Sequence, residues 1–430
     1  MKNKFIKSTI ILIIGGFITK ILGMVIKVFL TRAVGTDGIS LYMLILPTFN
    51  LFITLCNLGA PVAITKMVSE KKNSSKKIVI PTTIIILLYN VILIFIILII
   101  SPYLSRELLH NTNTYYPLIF IGTTLPFITI SSIIKGYFFG KEKVLPITLS
   151  NIIEQLARLL LTIFLVSRLS KYGLVIQISS VVLINIISEF SSIVLLSFYL
   201  PKEKIHKKDI TFDNKLLKEI FGISTPSMMG RLIGSFVYFL EPIILTFALN
   251  YAGYSNDYIT LEYGIINGYT YPLLLLPSFF TMAISSSILP VVANSYSNRN
   301  YTRTRKKIKE ATIISLIIGI PFTLIFMFIP DIPLKLVFNT NLGINYIKVT
   351  APFFLLHYIQ APLTSCLNGM GESKRAMLGT LYAGIIKIIS LFILSLLHIG
   401  MYSLIISSIL NIVIVTLHHI YYVRKYLKDK

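Results

Sequence analysis

Runs of about twenty mostly apolar residues, each closed by a short polar stretch, recur along all 430 residues. A bilayer crossing by an α-helix needs about 20 such residues. The runs fall at about 8–30, 40–62, 79–101, 115–136, 147–167, 174–199, 218–249, 262–292, 311–330, 346–367, 376–397 and 401–422. In hydrocarbon every backbone N–H and C=O has to be paired within the protein, so spans are helices or closed barrels. Barrel strands would be about ten residues long and alternating, which excludes a barrel. Charged residues make up only 13% of the chain, about half the share of a soluble domain. The expected fold is therefore an all-α polytopic membrane protein with twelve transmembrane helices.

The net charge is +23. On a soluble protein that would suggest nucleic acid, but here the placement of the charges decides. The N-terminus, the tail 424–430 and the loops 66–77, 135–143, 202–219, 299–310 and 372–375 together carry +20. The intervening loops 31–39, 102–114, 168–172, 250–262, 331–345 and 398–400 sum to zero. Cytoplasmic loops are the basic ones, so both termini are expected in the cytoplasm and no nucleic-acid partner is needed. The stretch MKNKFIKSTIILIIGGF resembles a signal peptide, but Lys20 interrupts the run and no A-x-A site follows, so it reads as the first span. Cys56 and Cys366 lie in apolar runs and suggest neither a disulfide framework nor a metal site.

The chain also repeats. LILPTFNLFITLCNLGAPVAITKMVSE (44–70) resembles LLLPSFFTMAISSSILPVVANSYSN (274–298), which pairs Pro47 with Pro277 and Pro61 with Pro290. GYFFGKEK (136–143) resembles NGMGESK (368–374), pairing Gly140 with Gly371, at an offset of about 230. Six spans per half means that both halves enter from the same side, as parallel repeats. The expected organisation is an N-terminal lobe over 1–200, a charged linker over 201–217 and a C-terminal lobe over 218–430. Substrate sites in such repeats lie near mid-membrane.

The charges that remain inside spans are the candidates for function, since each costs about 2.5–3.5 kcal/mol at the bilayer centre. Lys20 lies about twelve residues into its helix, too deep for easy snorkelling. Gly16, Lys20, Gly23 and Lys27 are spaced 4, 3 and 4 apart and share a helix face, which should point into the protein or a wet cavity. Lys27 reads either as part of that face or as an anchor at the outer interface. In the second half GRLIG echoes TKILG, so Arg231 takes the place of Lys20. Two such cations suit an anionic cargo such as a pyrophosphate. Glu154 and Arg158 are spaced to pair on one helix. Glu189 is either a counter-charge to Lys20 or Lys27 or a cation site. Glu241 is a candidate for Na⁺ or H⁺ coupling. Asn50, Asn57 and Asn185 read as glue between helices.

No Walker loop, HExxH or paired-Cys motif occurs, so the reading is a transporter without a cofactor rather than an enzyme. The stretches ISLYMLILPTF (39–49), GAPVAITKMVSE (59–70), SSIIKGYFFGKEKVLP (131–146) and IIEQLARLLL (152–161) resemble the polysaccharide branch of the multidrug/oligosaccharidyl-lipid/polysaccharide flippase superfamily, and its sporulation members above all. More distantly the chain resembles the lipid II flippases. Their first helix carries SRxLGxxR where this chain has TKILGMVIK, with Lys20 at the first basic position and Ile26, beside Lys27, at the second. Their further arginines have no basic counterpart in LPTFNLF or YTYPLLLLP. Relatives often have fourteen spans against the twelve expected here. The resemblance implies a MATE-like pair of six-helix lobes around a cavity that alternates its opening. It also implies a cell-membrane flippase for an undecaprenyl-pyrophosphate-type saccharide in spore cortex or envelope peptidoglycan synthesis, with membrane lipids and envelope-synthesis proteins as partners. The alternatives are a cation-coupled drug exporter of the same superfamily and a non-transporting scaffold of sporulation.

Overall fold

The computed structural model describes residues 2–70, 75–201 and 214–428. Residues 202–213, and so most of the expected inter-lobe linker, lie outside the described residues. Among the described residues the regular elements are all helical. Ten stretches of the described residues are long and apolar enough to cross a membrane. The chain divides into two compact units, Met1–Phe239 and Leu240–Lys430.

The first unit opens with α1, Lys2–Cys56, a helix bent at Gly35. There the backbone takes φ 67, ψ −170, a region open essentially only to glycine. An added Cβ would meet nothing within 4 Å, so backbone conformation and not space selects the glycine. The connection 31–39 was expected as a loop. Instead it stays helical on both sides of Gly35, because Val34 and Ile39 are buried and Thr31 and Ser40 hydroxyls donate to carbonyls one turn back. The second expected span breaks at Asn57–Gly59, where Leu58 and Gly59 have positive φ. It resumes as α2, Ala60–Ser69, with Pro61 in the first turn, where a missing N–H costs nothing. Then follow α3 (Ser75–Tyr103), α4 (Tyr115–Gly140), α5 (Val144–Leu161) and α6 (Leu174–Tyr199). The helix α7, Asn214–Tyr251, runs across the boundary between the units. Its Ile220 is buried in a core with Ala63, Ile64, Ile78 and Ile133.

Between helices in lipid the hydrophobic effect has little to offer, so close backbone approach matters. Gly136 and Gly140 of α4 rest against α2: added Cβ atoms would lie 2.7 Å from the Pro61 carbonyl and 2.8 Å from that of Thr65. No larger residue fits without moving one of the two helices.

In the second unit, α8 (Asn256–Ile265) continues through a π-turn into α9 (Tyr271–Leu274). The chain breaks at Leu275–Pro277, so the expected single span 262–292 is two helices. Next come α10 (Ser278–Ser297), α11 (Tyr301–Phe328), α12 (Asp331–Phe338), α13 (Ile344–Gly369), α14 (Ser373–Ser395) and α15 (Tyr402–Lys428). Gly369 repeats the glycine contact, with an added Cβ 2.9 Å from the Leu289 carbonyl.

The internal repeat is visible in the helix starts, Tyr115 and Ile344 or Val144 and Ser373, which are 229 apart. The turn after α4 closes through Lys143 N–H to Phe138 O and Glu142 N–H to Phe139 O. The turn after α13 closes through Glu372 N–H to Leu367 O and Gly371 N–H to Asn368 O, again 229 on. Gly140 therefore pairs with Gly369, and Gly371 with Glu142. The pairing of Gly140 with Gly371 followed residue identity and slipped by two. Pro47 lies inside α1 while Pro277 lies at a break, so those prolines are not equivalent either.

Candidate functional site

Because Gly35 bends α1, residues from both of its arms can face one space. Gly23, Ile26, Lys27 and Leu30 come from the first arm, and Tyr42, Leu46, Phe49 and Asn50 from the second. α5 adds Glu154, Gln155 and Arg158 with Thr162 just past its end, and α6 adds Asn185 and Glu189. Together they enclose a cavity of about 420 Å³ within the first unit. Its wall mixes aliphatic side chains with two bases and two acids. A ligand entering it would meet charge partly shielded from bulk water, where each interaction is stronger than at an open surface.

Glu154 organises the basic wall. One carboxylate oxygen accepts from Lys135 of α4 at 2.9 Å and the other from Arg158 at 3.0 Å. The i, i+4 pair implied by the spacing forms. Lys135, assigned from sequence to a loop, joins it because α4 runs on to Gly140. Two bases on one acid leave the cluster with a surplus positive charge. The Arg158 Nε–H is buried without an acceptor, a donor left over after Glu154 is satisfied. Lys27 of α1, half-buried, lines the same cavity and adds a further base.

Glu189 is buried, and its Oε2 has no hydrogen-bond partner among the described groups. It lines the same cavity as Lys27, Glu154 and Arg158. Asn50 and Asn185 line the cavity but donate to carbonyls of their own helices, at Leu46 and at Val181 and Val182. Asn57 does the same at Ile53.

Lys20 is exposed and is not part of this wall. Arg231 is also exposed. It lies one turn before Ser235, whose hydroxyl meets that of Thr54 at 2.7 Å. Each helix meets a positive-φ glycine, Gly35 where α1 bends and Gly253 two residues beyond the end of α7. Lys20 is fifteen residues before the first and Arg231 twenty-two before the second.

Glu241 belongs to the second unit. It is 2% exposed, is ion-paired to Lys387 of α14, and accepts from the Tyr263 hydroxyl at 3.1 Å. Lys387 went unnoticed in the sequence, although a lysine in the middle of the run 376–397 is itself a signal. Among the described residues no three His, Cys, Asp or Glu side chains gather as metal ligands.

The model of the family described as polysaccharide biosynthesis protein matches residues 5–296. The chain belongs to the polysaccharide biosynthesis protein family. A second family model, MatE, matches residues 268–393. Within this family setting, stage V sporulation protein B of Bacillus subtilis (strain 168) is 30% identical over 97% of this chain and 83% of its own length. Lipid II flippase MurJ of the same organism is 21% identical over 90% of this chain and 77% of its own. Among solved structures, an inward-facing multidrug resistance MATE family transporter of the MOP superfamily superposes with a TM-score of 0.74 at 15% identity, covering 96% of this chain and 95% of that one. The fold is thus that of MATE-like transporters, and the protein is a multi-pass membrane protein of the polysaccharide biosynthesis family.

Proposed function

We propose that the protein moves an anionic lipid-linked saccharide, an undecaprenyl-pyrophosphate-type precursor, from the inner to the outer leaflet by alternating access, in spore cortex or envelope synthesis. The observation that carries the reading is the Arg158 Nε–H, buried beside the cavity without an acceptor, with Lys27 lining the same cavity. A diphosphate supplies oxygens to both, and Arg grips such groups with directional bonds while Lys acts as a point charge. The similarity to stage V sporulation protein B and to a lipid II flippase supports the cargo class. Lys20 and Arg231 are proposed as further phosphate contacts along the route. Glu189 is proposed as the proton or Na⁺ site that offsets the cavity's positive charge, and Glu241 with Lys387 as a second group for coupling.

The reading includes twelve spans in lobes 1–200 and 218–430 with both termini cytoplasmic. The stretch Ile10–Ser69 is 60 residues long, enough for two crossings, and Ile344–Gly369 supplies 26 residues more. The charge asymmetry of the loops supports the orientation.

The test is complementation of a flippase-depleted strain. Lys27→Ala, Arg158→Ala, Lys20→Ala and Arg231→Ala are expected to fail while still reaching the membrane. Full rescue by all four would reject the reading. One observation favours a second reading, a cation-coupled drug exporter: the unpartnered carboxylate oxygen of Glu189 would suit a cationic ligand. Resistance to cationic dyes that is lost in Glu189→Gln would select it.

A further inference from the structure

A groove of about 1080 Å³ lies in the second unit, away from every residue named above as a candidate for cargo or coupling. It is walled by α11, α13 and α15, and it is chemically graded. At the helix-end side stand four bases, Arg305 and Lys309 of α11 and Arg424 and Lys425 of α15, all exposed. Inward from them the lining turns apolar. Ile308, Ile359 and Leu363 form a buried floor. Ile313 and Leu417, 43% and 57% exposed, form the open rim. The seven residues from Arg424 back to Leu417 span about 10 Å of helix. Among the described residues no acid lines the groove. The acid that follows Lys309, Glu310, is paired to Lys307 at 2.6 Å. Arg305 donates to the Leu427 carbonyl, which holds the end of α15 against α11 and fixes the basic rim.

We propose that this groove binds an anionic phospholipid of the surrounding membrane, with its phosphate among the four bases and an acyl chain along the apolar floor. The gradient matches such a molecule in order and scale: charge at the end of the spans, then hydrocarbon. Basic pockets between transmembrane helices are recognised sites for acidic head groups. A zwitterionic lipid would leave the bases uncompensated, and a soluble phosphate would leave the floor uncovered. Exposed Tyr421 at the same rim is the amphipathic side chain expected at a head-group level.

The experiment uses the full chain, purified and stripped of lipid in detergent. It is titrated with phosphatidylglycerol and with phosphatidylcholine of matched chains, and read by native mass spectrometry and thermal melting. Bound phosphatidylglycerol should exceed phosphatidylcholine by roughly tenfold, as expected for several surface bases acting together, and it alone should raise the melting temperature. Lys309→Gln/Arg424→Gln/Lys425→Gln should bring the ratio close to one. Arg299→Gln/Arg303→Gln/Lys306→Gln removes equal charge at and just before the N-terminal end of α11 without touching the groove lining, and should keep the preference. Ile313→Trp/Leu417→Trp keeps the bases and narrows the hydrocarbon path, so it should lower binding of both lipids. Each variant's melting temperature without lipid shows whether it is folded. Equal loss in the two triple variants, or displacement of the lipid by excess inorganic phosphate, overturns the proposal.

Discussion

Lys135 and Glu154 meet at 2.9 Å across the α4–α5 contact, and that bond decides what Arg158 has left to offer. With one oxygen of Glu154 taken by Lys135, Arg158 holds the other and keeps its Nε–H unspent. Removing the acid strands two bases. Glu154→Ala should therefore destabilise the protein by about 3–5 kcal/mol, as for any broken buried pair. Lys135→Met should cost less, since Arg158 still neutralises the acid. Thermal melting of both variants in one detergent checks the order. Equal losses would contradict it.

Arg158 and Lys27 are expected to act on cargo more than on folding. Each alanine variant should weaken binding of a lipid pyrophosphate in nanodiscs by roughly 10- to 100-fold, the worth of a charge-assisted hydrogen bond. A lipid monophosphate, with fewer oxygens to share, should lose less. Unchanged affinity in both variants would remove the cavity from the transport route.

Glu241 and Lys387 should be coupled in a double-mutant cycle. Each single change to alanine leaves a charge in the interior of the second unit. The double change leaves none, so it should cost less than the two singles summed, with a coupling of about 1–3 kcal/mol. Additive losses would mean that the two groups do not interact in the membrane.

Gly35→Ala places a Cβ on a backbone at φ 67, ψ −170, at a cost of about 1–3 kcal/mol. Because the two arms of α1 share the cavity, transport should fall further than stability suggests. Cysteine cross-linking between the arms would register the change in bend. Gly136→Val acts differently. It pushes α4 from the Pro61 carbonyl of α2, and the loss should appear as melting without a change in cargo affinity in the folded fraction.

Much of this was legible beforehand. Span positions follow from apolar run length, and α6 begins and ends where its run does. The i, i+4 spacing of Glu154 and Arg158 announced their pair. What escaped has a common cause: it depends on contacts between helices distant in sequence. Lys135 looked like loop because periodicity places helix ends poorly. Lys387 went unnoticed because its partner, Glu241, is 146 residues away. The helical course of 31–39 was hidden because polar residues there mimic a loop, while burial of Val34 and Ile39 is a tertiary fact. The choice between Lys20 and Lys27 rested on depth along a straight helix. The bend at Gly35 adds a second wall that depth alone does not reveal.

The turns after α4 and α13 bear on ancestry. Both close with the same backbone hydrogen bonds, yet one sets Glu142 at φ 56 where the other sets Gly371 at φ 85. If the halves descend from one duplicated segment, drift has rewritten the residues and spared the bonds between them. Tracing kinship inside such a chain by shared letters misreads this turn by two places, whereas the pattern of amide donors still marks which residue was copied from which.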